Sequence, residues 1–564
     1  MKHDTLLLTV GLWLVLAKAV LAQAPFDADY YRSPVDHPIK LSGTFGELRQ
    51  DHFHMGIDVK SARGVAGDKL YAVADGFISR LKVSAAGYGN SLSIDHPNGT
   101  RSLYAHLDSY APAIQTFLDS VHYAEERFEI EVVGESSGLY STVRGPRFPI
   151  TKGQYLGTMG NTGSSFGAHL HFELRVATND AAFNPLLYDF AVTDTRAPEL
   201  RELGVYRRLP GGATSTLDRF KLTNLGDSAS LGELVHVPPG EIGFGLKAYD
   251  RQQGTRNLNG VFQIESRCDG AVHWLAKYDT VAYEQTRFIQ AHYDYPAKLG
   301  GEGYFYRLHR LPGDQLNLYK QHPHEGFIEL GFGESRMMSI TASDPFGNAR
   351  TLQFRVVADL PAAADVFPSY HHVLQPDEPV TISLADATLD VPAQAVYTTT
   401  YLTTTVSDTM AAGAYSRCYT IGDELEPIHE ALSLRVPLVD VPMALRSKAY
   451  LTTCGGDDFR LPAKLTTGST HLQARVDAWG SYELHVDTNP PVIKPLDRYT
   501  YLLEDDITSA RDLHYRVTQN GAWVLASFDA KKNRLAVRRD KLGTGKIQVE
   551  VWDEAGNRSQ VIRG

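Results

Sequence analysis

Cysteine is scarce in this sequence: three residues in 564 cannot staple a disulfide scaffold. In an exported chain Cys418 and Cys454 can pair and leave Cys268 free, with three buried thiols as the equal alternative. A basic excess is missing too. Lys and Arg number 55 against 66 Asp and Glu, a net charge of −11. No cationic surplus is therefore available to displace counterions from phosphates, which excludes a nucleic-acid binder. Beyond the N-terminus there is no long apolar run, so no later membrane span is expected. What remains is a soluble composition, 43% hydrophobic and 21% charged, long enough at about 150 residues per domain for about four domains.

The N-terminus reads MKHDTLLLTVGLWLVLAKAVLAQA. Lys2, an apolar run from Leu6 to Leu16, and small residues at Ala19, Ala22 and Ala24 have the order of a secretory signal, cut after Ala22 or Ala24. A retained anchoring helix is the alternative, but the run is short for a bilayer. No cysteine follows it, which argues against a lipid anchor. The expected location is the periplasm or cell envelope, or outside the cell.

From residue 23 to 192 the chain reads as one β domain. "KLYAVADGFISRLKVS" and "NSLSIDHPNGTRSLYAHL" alternate as short strands, with a hairpin turn at Asn98-Gly99. Within it, residues 112–150 read as an insertion: Ile114, Phe117, Leu118 and Val121 fall at helical spacing, and "FEIEVV" then alternates as a strand. Further on, a punctuation pattern recurs. "DTRAP" (194–198) opens a segment that "DPFGN" (344–348) closes, and "DTNPP" (487–491) opens one that "DEAGN" (553–557) closes. Alternating runs lie between these marks, such as Ile242, Phe244, Leu246 and Ile547, Val549, Val551. The fold expected is therefore all-β and multidomain, with Ig-like sandwiches at 193–358 and 487–564 and a β domain of unknown type at 359–486.

The chemistry concentrates in the first domain. Twenty-one histidines give about 0.8 His-x-His pairs by chance, and the chain has three of them, so a pair alone proves nothing. His322/His324 flank a proline and read as loop residues, and His52 reads as solvated or as support for a neighbour. In "GTFGELRQDHFHMGIDVK", however, His54 and Asp58 stand four apart. On an extended strand they would be about 13 Å apart, too far to share an ion, so the chain must bend, and Gly56 makes a bend easy. His169 and His171 in "GAHLHFELR" project from one face of one strand. Catalytic zinc takes three protein ligands and leaves one position open. His54, Asp58 and one histidine of the pair supply that set, while the other and His106 in "YAHL" are free to move protons.

Four blocks in order, "FGELRQDHFHMGID" (45–58), "LYAVADG" (70–76), "GYGNSLSIDHPNGTRSLYAHL" (87–107) and "KGQYLGTMGNTGSSFGAHLHFEL" (152–174), resemble the lysostaphin/LytM-type zinc endopeptidases that cut peptidoglycan cross-links. The resemblance covers about residues 40–192 and implies a two-sheet β fold, the duplicated hybrid motif, with an open groove. It implies one Zn2+ on His54, Asp58 and His171, with His106 and His169 as catalytic histidines. Two departures stand out: the insertion at 112–150, placed to wall the groove, and Arg49 where some members have a nearby tyrosine. The function expected is zinc-dependent hydrolysis of amide bonds in peptidoglycan cross-links, the C-terminal β domains holding the enzyme against the wall, a membrane or an envelope protein partner. The rivals are a non-catalytic regulator that activates another wall hydrolase, and an adhesion scaffold.

Overall fold

The structure is a computed structural model, and it describes residues 26–564 except 28, 135–142, 146–147, 366–368, 456–459 and 465–468. The expected signal segment, 1–22, lies outside the described residues.

Up to residue 176 the alternating runs form twelve strands and one helix: β1 (Leu41–Gly43), β2 (Ile57–Lys60), β3 (Lys69–Tyr71), β4 (Gly76–Val83), β5 (Ser91–Asp95), β6 (Thr100–Ala105), β7 (Leu107–Tyr110), α1 (Pro112–Glu125), β8 (Ile130–Gly134), β9 (Val143–Gly145), β10 (Phe148–Ile150), β11 (Tyr155–Met159) and β12 (His169–Val176). The main sheet runs β1-β2-β12-β6-β5-β4-β8-β9, with β10 also on β4, and a small sheet runs β3-β11-β7. Between them the alternate residues Ile57, Val59, Leu92, Ile94, Leu170 and Phe172 meet Leu70, Leu107 and Leu156 in one buried core. Each such side chain contributes roughly 1.5–3 kcal/mol by leaving water.

Local chemistry sets the connections. At the β5–β6 hairpin Gly99 takes φ 82°, and Asn98 Oδ1 accepts from the Thr100 amide and hydroxyl. Helix α1 starts on Pro112, buries Ile114, Leu118 and Val121, and stops where Glu126 turns left-handed. The insertion thus has the expected helix and strand. Because β8 and β10 pair with β4, it widens the main sheet at the edge away from β12.

The first domain does not end cleanly at 192. Ala182–Phe183 pairs with both β12 and Thr280–Val281, so the main sheet continues into the next unit. Phe45, Leu48, Phe53 and Met55, from the loop before β2, are buried in the core built by residues 200–358. That second unit packs two sheets, one around Glu199–Arg208 and Gly240–Tyr249, the other around Ser335–Ser343 and Ala349–Ala358. It departs from a purely antiparallel sandwich, since Ser228–Ser230 and Val235–Val237 pair parallel to Ala349–Ala358. The third and fourth units are also built of packed sheets with their own cores, the third adding a two-stranded ribbon, His372–Leu374 with Thr400–Leu402. The chain is all-β and multidomain, as its alternating runs imply. Cys418 and Cys454 form a disulfide and Cys268 is free. Among the described residues no helix is long and apolar enough to cross a membrane.

Candidate metal and catalytic site

The five residues expected to carry the chemistry come together. β2 pairs with β12 so that Asp58 lies opposite His171, and the loop before β2 folds His54 back over both. Gly56 serves this differently from the bend expected of it. Its φ is not in the left-handed region, and a Cβ there would sit 2.3 Å from the Phe172 carbonyl oxygen. It is needed for close approach to β12. Gly43 is needed too, because its Cβ would lie 2.6 Å from Asp58 Oδ2.

Three ligand atoms converge: His54 Nε2 is 3.0 Å from Asp58 Oδ1 and 3.0 Å from His171 Nδ1, which is 2.9 Å from Asp58 Oδ1. The opposite ring atoms fix the tautomers. His54 Nδ1–H donates to the Thr44 carbonyl at 2.8 Å, and His171 Nε2–H donates to Glu173 Oε1 at 2.7 Å. Neutral rings held this way turn two lone pairs towards each other and a carboxylate oxygen, an arrangement only a cation or a proton can satisfy. The residues fit zinc: two imidazole nitrogens and one carboxylate, with room for a fourth ligand from the cleft. Without a metal the site draws a proton. Burial opposes charge on His171, but Asp58 and Glu173 override it and lift its pKa to about 9. Asp58, despite burial that raises its pKa, is held well below the usual carboxylate range by the three histidines around it.

His169 and His106 stand beside this centre with ring centroids 4.8 Å apart. His169 Nδ1 contacts the Gly167 carbonyl at 2.9 Å, and its Nε2 lies 3.5 Å from Asp58 Oδ1. His106 Nδ1–H donates to the Thr162 carbonyl at 2.8 Å. Each ring thus spends its N–H on a carbonyl and keeps an Nε2 lone pair. Burial first, then His171 and His169, push His106 down to about 3. His106 also holds a positive φ of 63°, a strained backbone state of the kind stored at functional sites.

Sequence reasoning missed the support. Glu173 is fully buried, bound by His171, by Arg175 Nε at 2.5 Å and by the Tyr88 hydroxyl at 2.6 Å. A signal was present: His169, His171, Glu173 and Arg175 alternate on one face of β12, an unbroken polar row on a buried strand. Arg49 lies 3.5 Å from Asp58 Oδ2 and 3.2 Å from Glu47. His52 is exposed and bonds Asp51 at 2.7 Å, while His322 immediately precedes, and His324 lies in, the short 3-10 segment Pro323–Gly326.

The site opens into a cleft of about 1300 Å³. Its floor is β2 and β12. One wall is the Ser164–Ala168 loop with fully exposed Phe166, and the others come from Tyr283 and Arg287 of the second unit and His429, Arg475 and Asp477 of the third. The insertion was expected to wall the groove. None of its described residues lines the cleft; it packs instead on the C-terminal unit, Asp119 pairing with Arg538 at 2.6 and 2.7 Å and the Phe128 ring lying tilted against Tyr515 and Trp523. Its position at the far edge of the sheet explains this.

Residues 52–118 match the model for peptidase family M23, and residues 371–487 match a Zu5-like domain, which gives the third unit a type. The DD-carboxypeptidase/endopeptidase Mpg of Neisseria meningitidis serogroup B is 32% identical over 152 residues, 26% of each chain, as is that of Neisseria gonorrhoeae. An uncharacterized metalloprotease of Haemophilus influenzae is 25% identical over 164 residues, 28% of this chain and 26% of its own. The chain thus spans about a quarter of the length of these curated relatives. Among solved structures, a zinc-containing peptidase from Vibrio cholerae aligns at 22% identity and TM-score 0.20, covering 29% of this chain and 40% of that one. The catalytic domain of lysostaphin from Staphylococcus simulans aligns at 22% and 0.18, covering 26% and 90%. By its ordered motifs, the family-model match and the Neisseria relatives, the N-terminal domain, and not the chain as a whole, is of the lysostaphin/LytM-type M23 peptidase family.

Proposed function

We propose that this protein is a zinc-dependent endopeptidase of the bacterial envelope that hydrolyses amide bonds in the peptide cross-links of peptidoglycan. The observation that carries the reading is the convergence of His54 Nε2, Asp58 Oδ1 and His171 Nδ1 within 3.0 Å of one another, flanked by two further imidazoles at the floor of an open cleft. The name of the Neisseria relatives, DD-carboxypeptidase/endopeptidase, supports the substrate class.

Zinc on these three ligands supplies Lewis acidity, to polarise the scissile carbonyl and to acidify a water. The chain's own residues do the rest. His169 Nε2, 3.5 Å from Asp58 Oδ1, is placed to accept the proton of that water. His106 starts neutral with its N–H committed to Thr162, so its Nε2 becomes a donor only after taking a proton. It then stabilises the developing oxyanion or delivers the proton to the leaving amine. Glu173, by holding the N–H of Nε2, makes Nδ1 the nitrogen of a neutral His171 ring that faces Asp58 and His54.

The test is digestion of defined peptidoglycan followed by mass spectrometry of the released fragments. The zinc-loaded protein should cut cross-links. His171→Ala should lose both metal and activity, while His169→Ala should keep zinc and turn over roughly 10²–10⁴-fold more slowly. No turnover by the zinc-loaded wild type on cross-linked or simple peptides would overturn the reading.

A further inference from the structure

We propose that the chain carries two calcium sites, one formed by Asp194, Asp250 and Asp344 and the other by Asp487, Asp505 and Asp553. The punctuation repeated in the sequence becomes a repeated device in the fold. In each copy the first aspartate stands in the opening segment (Asp194, Asp487) and the last in the final hairpin turn (Asp344, Asp553). The middle one directly follows a strand, Asp250 after Gly240–Tyr249 and Asp505 after Thr500–Glu504. Each trio offers carboxylate oxygens within 4.8 Å of one another, close enough to share one ion with bonds of about 2.4 Å. The closing asparagines repeat the same bonds: Asn348 Nδ2 donates to the Asp194 carbonyl and to Asp344, and Asn557 Nδ2 to the Asp487 carbonyl and to Asp553.

Clustered carboxylates alone would not make a site; the unpartnered atoms around them point to a ligand. Asn259, 1% exposed and bridged to Asp250 through both backbones, has neither Oδ1 nor Nδ2 in a hydrogen bond. It lines, with Asp194 and Asp250, a cavity of about 10 Å³, the room of a single ion or water. Asp250 Oδ1 is unpartnered as well. In the second copy the same is true of Asp487 Oδ2, Asp505 Oδ2 and Thr508 Oγ1, with Thr508 only 4% exposed. Among the described residues no Lys, Arg or His forms an ion pair with any of the six aspartates. Buried oxygens left this way in two copies call for a cation. An all-oxygen set selects a hard one, and at the first site a cavity too small for a hydrated ion favours calcium over magnesium, which keeps several waters.

Burial and the neighbouring Asp344 and Asp194 push Asp250 up to about 8, and burial pushes Asp344 and Asp487 to about 6. The first site also reaches the zinc centre. Gln252, two residues past Asp250, accepts from the Leu41 amide and donates to the Ile39 carbonyl, and Gly260 accepts from Thr44 Oγ1. Thr44 is the residue whose carbonyl orients His54. An ion on Asp250 fixes the loop from which β1 and Thr44 hang.

The test uses the zinc-loaded full chain, freed of other metals, dialysed to equilibrium against about 1 mM CaCl2, the range of extracellular calcium modules, and analysed for bound calcium. The wild type should hold two calcium ions per chain and melt at a higher temperature than without calcium. Asp250→Asn and Asp553→Asn should each hold one, and the double variant none. If a variant fails to fold, the wild-type count decides. Any count other than two, a count unchanged in both folded single variants, or magnesium filling the sites in place of calcium would overturn the proposal.

Discussion

Glu173 never touches the metal position, yet it determines which nitrogen of His171 faces it. Glu173→Gln keeps the shape of the side chain but removes its charge from both His171 and Arg175. Zinc affinity should fall about 10–100-fold, as read by competition with a chromophoric chelator, while far-ultraviolet circular dichroism stays the same. Asp250 makes a second prediction at this scale. A carboxyl raised to about 8 in the folded state stabilises the fold fully below its unfolded pKa near 4, and that contribution is lost as pH rises through 8. In metal-free buffer the melting temperature of Asp250→Asn should therefore gain on the wild type between pH 5 and 9, and added calcium should reverse the difference. Residues of this kind divide what the sequence reveals from what it hides. His54, Asp58 and His171 are legible because ligand chemistry fixes their types and spacings. Tyr88 is not, because it meets Glu173 across 85 positions of sequence and only the sheet brings them together.

Strand β12 shows how far periodicity reaches. Its alternation places Leu170, Phe172 and Leu174 in the core and aligns both histidines with their supports, all readable from nine residues. Gly56 was readable as a glycine that matters, but not for the right reason, since the neighbour it must accommodate is a carbonyl on another strand. Gly56→Ala would press a Cβ to 2.3 Å from Phe172 O and should destabilise the first domain by about 1–3 kcal/mol, measured by urea unfolding, with zinc affinity lowered in parallel. The insertion was legible as a helix and a strand but not in its direction, which depends on which edge of the sheet accepts β8. Its bond to the C-terminal unit is open to test. Arg538→Ala leaves Asp119 without its bidentate partner, so hydrogen-exchange protection should fall together around 112–130 and 523–540. Cleft chemistry should persist, because neither segment lines the cleft.

At the scale of the whole molecule, three units shape one cleft, and nothing in the local sequence announced that Arg475 and Asp477 would face residues more than 300 positions earlier. Removing the third unit should therefore change which peptides are cut more than whether zinc is bound, as read by comparing short and cross-linked substrates on protein of verified metal content. The second unit is another matter. Phe45, Leu48, Phe53 and Met55 lie in its core, on the same loop that carries His54. As the chain is made or exported from its N-terminus, residues 42–192 emerge first, but that loop has nothing to pack against until residues 200–358 follow. At roughly 5–20 residues per second, the nascent protein passes through an interval of about ten to thirty seconds with His54, Asp58 and His171 not yet brought together. Its order of synthesis thus holds back the assembly of the proposed centre until the second unit has followed the first.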